Sequence, residues 1–427
     1  MSIPPQGPRA AAGHVPAHRA PAEPVRPVSR LWVLWLSLIS IGVWSGFFGP
    51  IQVLLAQQAE AVSPDHKEAV LSLVTGVGAA VSTVLNPVWG ALSDRTPLRV
   101  GRRVPWVAGG LVGGVAAMVL LSSVDSVLGM VLGWALAQAS LNAMLAAITA
   151  TVPDQVPVAE RGTVGGWLAI AQTVGVVAGS GIAAATGSIA VGYLVTAGAL
   201  VVLSVPYLAD ARDLPLPTEE RRALRLGEFV RGFWVSPRTH PDFAWAWLTR
   251  FLMNLGNALV ILYLLYYLQD AIDLTKEQAE QGVFWLTGLY GVVTVVTAIA
   301  GGIWSDRVGR RKPFVIGSGL IAAAALLLLA FATTWPLAIV GAVVLGVGFG
   351  TYTAVDFAMI TQVLPSAGDR ARDLGVINIA NALPQVLAPV VAAAILGLGL
   401  GYGALYVLAA AVSVAGSWLV VNIRSLT

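Results

Sequence analysis

The sequence lacks cysteine and has few charged residues. Of its 427 residues, 11% are charged and 57% are hydrophobic, and lysine occurs only at Lys67, Lys276 and Lys312. A chain without cysteine forms neither a disulfide nor a thiolate metal site. The four histidines fall in predicted loops or near the N-terminus, and neither a metal-ligand cluster nor a nucleophile paired with a base is apparent. We therefore expect no enzymatic activity, no metal and no cofactor.

Long apolar runs are what the sequence has instead. Twelve stretches of about 18 or more mostly apolar residues are each long enough to cross roughly 30 Å of hydrocarbon as a helix. Helices are required because an open strand leaves backbone groups unsatisfied in lipid. The sequence predicts an all-α membrane protein with 12 transmembrane helices, whose surroundings are a lipid bilayer and which has no nucleic-acid partner.

The placement of charge predicts the orientation in the membrane. All but three of the 25 basic residues lie in the N-terminal region or in loops after even-numbered spans; the exceptions are Lys67, Lys276 and Arg250. The positive-inside rule then places both termini in the cytoplasm, and the arginine-rich composition favours a bacterial plasma (inner) membrane. Residues 1–30 are interpreted as a disordered tail. A secretory signal is the alternative, but the apolar run after Arg30 exceeds the 7–15 residues of a signal core.

One charged motif occurs twice. GALSDRTPLRVGRR, beginning at Gly90, returns in shorter form as GGIWSDRVGRR from Gly301, so that Asp94 corresponds to Asp306. The repeat indicates a duplicated half, and parallel repeats of this kind frame a site near the bilayer midplane that opens to each side in turn. The predicted units are a tail at 1–30, six-helix halves at 31–208 and 243–421, a cytoplasmic linker at 209–242 and a C-terminus at 422–427.

Twelve spans in a 6+6 repeat, with G-x-x-x-D-R-x-G-R-R in both the 2–3 and 8–9 loops, resemble the major facilitator superfamily of secondary transporters. The lengthened first copy, SDR-TPLRV-GRRVPW, is similar to the glycoside and sucrose cation-symporter branch. The resemblance implies that the motif carboxylates face helix N-termini of the opposite half, near Arg372–Leu374 and Arg161–Thr163, and close the cytoplasmic side. The predicted cytoplasmic gate consists of Asp94, Arg95, Arg102, Asp306, Arg307 and Arg310.

The arginines of this gate are expected to pair with the motif carboxylates or with Glu160, Asp369 and Asp373. Such contacts between halves exist only while the cytoplasmic side is closed, so they would favour the outward-open state. The alternative is that the basic loops only fix topology.

Two ionisable side chains, Arg250 and Asp356, lie well inside predicted spans seven and ten. Charges at that depth are costly unless they are paired, hydrated or neutralised. Both lie eight residues from the cytoplasmic end of their span, about 12 Å of helix, so an ion pair is feasible. Three roles remain open: proton coupling through Asp356 with Arg250 as its partner, direct binding of a polar or anionic substrate, or a structural bridge.

Uncharged polar residues recur at helical spacing, for example Asn254 and Asn257 after Arg250, and each such stripe lies on one helix face. In the resembling fold, helices one, four, seven and ten line the substrate cavity, so amides and aromatic rings there would bind a hydroxyl-rich or mixed polar ligand. Interhelical hydrogen bonding is the alternative. The candidate substrate-binding residues are Trp44, Gln52, Gln138, Asn142, Asn254, Asn257, Tyr352, Asn378, Asn381 and Gln385.

These observations predict a monomeric secondary transporter that works by alternating access. Its expected activity is proton-coupled import of a sugar, a glycoside or a similar polar metabolite, with protons and a small molecule as its partners. A proton-driven exporter of drugs or metabolites is the alternative within this class. A membrane sensor that transports nothing is the alternative from another class.

Overall fold

The computed structural model describes residues 27–210, 213, 237–363 and 370–424. In this part of the chain, twelve helices are long and apolar enough to cross a membrane, which confirms the predicted all-α fold with 12 spans. Most of the predicted tail, 1–30, and of the predicted linker, 209–242, lies outside the described residues, as do residues 425–427.

The first six helices begin and end at residues suited to those positions. The Ser29 hydroxyl accepts a hydrogen bond from Trp32 N at the start of α1, and Ser126 does the same for Gly129 N at the start of α4. Gly187 ends α5 in the left-handed region, at φ 59°. The helices are α1 Arg30–Val62, α2 Lys67–Ser93, α3 Val104–Leu121, α4 Val127–Gln155, α5 Val158–Thr186 and α6 Ile189–Ala209.

The last six helices follow after a gap in the described residues. Thr275 and Gln278 form a capping box at the start of α8, and Gly309, at φ 70°, ends that helix. A short helix, Leu264–Asp270, connects α7 to α8. The helices are α7 Pro241–Leu262, α8 Lys276–Val308, α9 Lys312–Phe331, α10 Trp335–Val363, α11 Arg370–Gly397 and α12 Gly401–Leu419.

Helix packing repeats with an offset of six helices. The pairs α1–α5, α2–α4 and α3–α4 have counterparts in α7–α11, α8–α10 and α9–α10. Small residues permit the close approaches: a Cβ on Gly179 of α5 would meet Gly49 N of α1 at 2.7 Å. The two sets of six helices meet where α2 packs on α11 and α5 packs on α8.

The two ends of the helical bundle differ in charge. We call the end with the α2–α3 and α8–α9 loops, residues 94–103 and 309–311, the basic end. We call the opposite end, which includes residues 60–67 and 270–277, the acidic end.

Candidate functional site

A cavity of about 650 Å³ lies between the two sets of helices. Its walls come mainly from α1, α5, α7, α8 and α10, and most of the lining is apolar, including Phe48, Ile261 and Phe349. In the described part of the chain, the lining includes no Asp, Glu, Lys or Arg. The polar lining residues are Gln52, Gln172, Thr173, Asn257, Thr287, Tyr290, Thr294 and Thr353.

Hydrogen bonds hold several of these polar groups in place. Tyr290 on α8 donates its hydroxyl hydrogen to Asn257 Oδ1 on α7 at 3.0 Å. Gln52 Nε2 on α1 donates to Thr287 Oγ1 on α8 at 3.3 Å, and Ser180 on α5 donates to Gln52 Oε1. The cavity thus has an apolar body with a few oriented amide and hydroxyl groups, which suits an uncharged ligand of mixed polarity.

Arg250 and Asp356 form an ion pair next to this cavity. Arg250 Nε lies 3.3 Å from Asp356 Oδ2, and the two side chains are 17% and 4% exposed. Neither residue of the pair lines the cavity, but each lies on a helix that does. The lining residue Thr353 is three residues before Asp356, and the lining residue Asn257 is seven residues after Arg250. A change of charge at Asp356 would therefore act close to any bound ligand.

Three of the predicted polar residues complete this pair. Tyr352 donates its hydroxyl hydrogen to Asp356 Oδ1 at 2.9 Å. Asn381 Oδ1 on α11 accepts from Arg250 Nε at 2.8 Å and from Asn254 Nδ2 at 3.2 Å. The cluster connects α7, α10 and α11, and both oxygens of the buried carboxylate have a partner, as a buried charge requires.

The remaining predicted binding residues lie elsewhere. Gln138 and Asn142 are buried and face α2, where Asn142 Oδ1 accepts from Ser82 and Asn86. For this pair, the structure shows the interhelical hydrogen bonding considered above as the alternative.

Trp44 is half-buried beside Phe48, with ring centroids 6.0 Å apart, but only Phe48 lines the cavity. Gln385 is exposed outside the cavity lining. Asn378 lies on α11, but its side chain is outside the described part of the structure.

At the basic end, Arg103 connects several elements. Its guanidinium contacts Asp94 at 2.5 Å, Asp154 at 2.9 Å and Ser93 at 2.6 Å, and the residue is 3% exposed. Asp213 accepts from Arg103 N at 2.5 Å. Burial lowers the pKa of Arg103, but hydrogen bonding to Asp154 and the nearby charges more than offset this and raise it, so the guanidinium stays charged.

The structure corrects the expected partners of the first gate motif. Arg102 pairs with Asp154 at 2.6 Å, because the end of α4 adjoins this loop within the same set of helices. Arg95 donates to Ala91 O at 2.7 Å, and Glu160 accepts from Val28 N at 3.2 Å.

The second gate motif is described only in part. Arg307 and Arg310 are exposed. Several of the other predicted contact residues lie outside the described part of the chain, so the proposed contacts with helix N-termini of the opposite half stay predictions. They are the side chains of Asp306, Arg161, Arg372 and Asp373, and all of Asp369.

The sequence analysis did not identify the cluster at the basic end that is formed by Arg103, Asp154 and Asp213.

At the acidic end, a network around Lys67 joins the two sets of helices. Lys67 Nζ lies 3.2 Å from Asp270 Oδ1 in the last six helices and 3.4 Å from Glu60 Oε1 in the first six. Tyr402 donates to Asp270 Oδ2 at 2.8 Å and reaches Glu68 Oε1 at 3.4 Å. We call these five residues the Lys67 network. Its lysine was noted in the sequence only as an exception to the charge pattern.

Further contacts between the two sets of helices lie nearby. Tyr266 donates its hydroxyl hydrogen to Ala56 O at 2.7 Å, and Ser72 donates to Pro389 O at 2.9 Å. Ser72 also contacts the hydroxyl of Tyr263. Together with the Lys67 network, these bonds close the acidic end of the interface between the two sets.

Comparison with known proteins adds a family and a fold. The sequence profile of the Major Facilitator Superfamily matches residues 33–284 and 247–425. A sequence comparison with curated proteins finds no match.

Several solved transporters have the same fold. The nucleoside transporter NupG is 12% identical, with a TM-score of 0.72 over 92% of this chain and 99% of that one. A POT family transporter bound to a thioalcohol-conjugated peptide is 13% identical, with a TM-score of 0.71 over 91% and 95%. A bacterial homologue of the human lysosomal transporter Spinster, in an inward-facing and occupied conformation, is 14% identical, with a TM-score of 0.68 over 93% and 96%.

Proposed function

Because the chain belongs to the major facilitator superfamily, we propose that it is a secondary transporter in which two six-helix halves, 31–208 and 243–421, rock about the cavity. The observation that carries this proposal is the cavity between two sets of helices that are tied together at the acidic end. If this tie opens while the basic end closes, a ligand in the cavity changes the side to which it has access.

The charge pattern supports an orientation of the protein in the membrane. With the basic end in the cytoplasm, the acidic end faces the exterior of a bacterial plasma membrane, and both termini are cytoplasmic. The structure then corresponds to the state closed to the exterior. We propose a monomer that imports its ligand, and its membership of the glycoside and sucrose cation-symporter branch stays a prediction.

Coupling to protons is proposed through Asp356. Its carboxylate is 4% exposed and sits between Arg250 and Tyr352, so taking up a proton would weaken the ion pair and release Arg250 to other partners. The alternative is a structural bridge among α7, α10 and α11.

The cavity supports a particular kind of ligand. Its apolar walls with a few amides and hydroxyls suit a glycoside, in which an apolar group is joined to a sugar, better than a free sugar. The same apolar lining is the observation that favours the second candidate function, export of drug-like compounds or metabolites. A sensor would bind such ligands without moving them across the membrane.

The experiment is a thermal-shift screen of purified protein against glycosides, nucleosides and free sugars, followed by exchange of the labelled hit in proteoliposomes. Replacing Asn257 with Ala removes a hydrogen-bonding group of the cavity, and we expect about tenfold weaker binding. Gln385→Ala is the matched control, because that amide is outside the lining. Two results would count against the proposal. One is an equal loss of ligand affinity in Asn257→Ala and Gln385→Ala, and the other is a ligand that binds but is never exchanged across the membrane.

Removing the positive charge of Lys67 should loosen the acidic end. In Lys67→Met, Asp270 and Glu60 lose their shared cation, and we expect the ratio of closed to open protein to fall about fivefold, near the upper range for a partly exposed ion pair. A single cysteine at Thr287, which lies by the cavity, can be labelled with an impermeant maleimide added to the acidic end, since the chain has no other cysteine.

The control for this labelling is Lys276→Met, an exposed lysine at the same end. Faster labelling in Lys67→Met alone is the expected result. Unchanged labelling in Lys67→Met would mean that the Lys67 network does not hold the acidic end closed.

A further inference from the structure

Glu280 is a buried carboxylate that the proposed function does not use. It lies in the second turn of α8 at the acidic end and is 6% exposed. Its Oε1 accepts a hydrogen bond from Nε2 of Gln57 on α1, which is itself 5% exposed. In the described part of the chain, the ion pairs of Lys67 go to Glu60 and Asp270 and not to Glu280. A buried carboxylate whose partner is a neutral amide is costly to keep charged.

The surroundings of Glu280 do little to stabilise a negative charge. The charged groups that act on it are Lys276 and Glu277, which are exposed, lie on the same helix and oppose each other. The facing helix α1 contributes the uncharged Gln57. Beside Gly282, two residues further along α8, the nearest side chains are the apolar Leu268 and Trp335.

The contact between Glu280 and Gln57 joins the two sets of helices. Under the proposed alternating access, we therefore expect it to exist only while the acidic end is closed. A second hydrogen bond between α1 and α8, from Gln52 to Thr287, lies nearer the cavity, since both residues line it. Gln52 and Gln57 both face α8 although they are five residues apart, because a π-helical turn at Pro50–Leu54 widens α1 between them. Such turns recur at functional sites.

We propose that Glu280 is a second proton-binding residue of the transport cycle, and that the acidic end closes only when Glu280 is neutral. This inference rests on the proposed alternating-access function. In the open state, water solvates the carboxylate. On closing, a neutral carboxyl accepts from Gln57 Nε2 with one oxygen and carries its proton on the other. The closed state binds one proton more, so it is favoured as the pH falls and is lost as the pH rises.

Distances between spin labels test this inference without a known ligand. The chain has no cysteine, so labels can be placed at Ser123→Cys and Thr333→Cys, exposed positions at the acidic end on opposite sets of helices. In lipid nanodiscs, between about pH 8 and about pH 5, we expect the ratio of closed to open protein to rise by up to about tenfold per pH unit. Glu280→Gln should remain closed throughout, because the amide is always neutral.

Two further variants make the outcome specific. Glu277→Gln, the exposed neighbour, should keep the response to pH. Gln57→Leu removes the partner but keeps the carboxyl, so closing should require a lower pH. A response in Glu280→Gln equal to that of the unmodified protein overturns the inference, as does an unchanged response in Gln57→Leu.

The same measurement gives a different result if alternating access itself is wrong. In that case the label distances at the acidic end would stay fixed at every pH and with every ligand of the thermal-shift screen. A response that persists in Glu280→Gln would leave alternating access in place and remove only the role of Glu280.

Discussion

Replacing Asp356 with Asn is expected to abolish accumulation of ligand against its gradient while exchange of labelled ligand continues. The amide keeps the shape of the side chain and a partner for Tyr352, but it cannot take up a proton. A gradient of one pH unit supports about tenfold accumulation for the one proton that Asp356 would carry across, since both correspond to about 1.4 kcal/mol. Glu280 would take up and release its proton at the acidic end only, so it would carry none across the membrane. In Asp356→Asn we expect no accumulation, so that the ligand concentrations inside and outside become about equal. The measurement is uptake into proteoliposomes with and without a pH gradient.

The alternative role of the pair predicts another outcome. If Arg250 and Asp356 form only a structural bridge, Asp356→Asn would lower the yield of folded protein, because it leaves a partly buried guanidinium without its counter-charge. The double variant Arg250→Gln with Asp356→Asn is the control, since it removes both charges and should recover stability but not accumulation. Tenfold accumulation in Asp356→Asn would exclude Asp356 as the coupling residue.

Replacing Arg103 with Ala is expected to give the largest loss of stability. The guanidinium is almost fully buried and bonds to Asp94, Asp154 and Ser93, so its removal takes this partner from Asp94 and Ser93 and leaves Asp154 with Arg102 alone. Each of these hydrogen bonds to a charged group is worth about 1.5–3 kcal/mol, so losing them together costs about 3 kcal/mol or more. We expect the thermal unfolding midpoint in detergent to fall by roughly 5 °C or more.

Three variants define this effect further. Arg99→Ala is the matched control, because Arg99 is exposed in the same loop and should leave the midpoint unchanged. Arg103→Lys keeps the charge but not the planar fork, so an intermediate loss is expected. Asp94→Asn should reduce transport with little loss of stability, because the Asp94 side chain is 55% exposed. Equal midpoints for Arg103→Ala and Arg99→Ala would contradict this account of the basic end.

The fold follows from the sequence because each span is a local feature. Apolar length alone predicts the twelve helices, and the charge of the loops separates the two ends. The equal depth of Arg250 and Asp356 also suggested that they could pair, and their side chains do lie 3.3 Å apart. What this pair does in the transport cycle is still a prediction.

The cavity was harder to predict, because helical spacing shows which residues share a face but not which neighbour that face meets. Gln138 and Asn142 look like a binding stripe, yet they bond within the first six helices. Thr287, Tyr290 and Thr294 line the cavity at the same kind of spacing. They do not stand out in the sequence, because hydroxyl side chains in membrane helices often bond to their own backbone, as Thr297 does to Val293 O.

Contacts between distant segments left no signal in the sequence. Lys67 and Asp270 are 203 residues apart, and Arg103 and Asp213 are 110 residues apart. Each residue taken alone is a loop charge, and the positive-inside rule counts the basic ones but does not show which charges pair. Only the packing of the helices brings these charges together, between the two sets for Lys67 and Asp270 and within the first set for Arg103 and Asp213.

The central claim is that the two ends of the protein open in alternation. It is tested most directly by measuring spin-label distances at both ends in separate samples: Ser123→Cys with Thr333→Cys at the acidic end, and Leu98→Cys with Val308→Cys at the basic end. All four positions are exposed. As the pH is lowered or a ligand is added, the account predicts that one distance shortens while the other lengthens. Distances that change in the same direction, or that stay fixed at both ends, would contradict it.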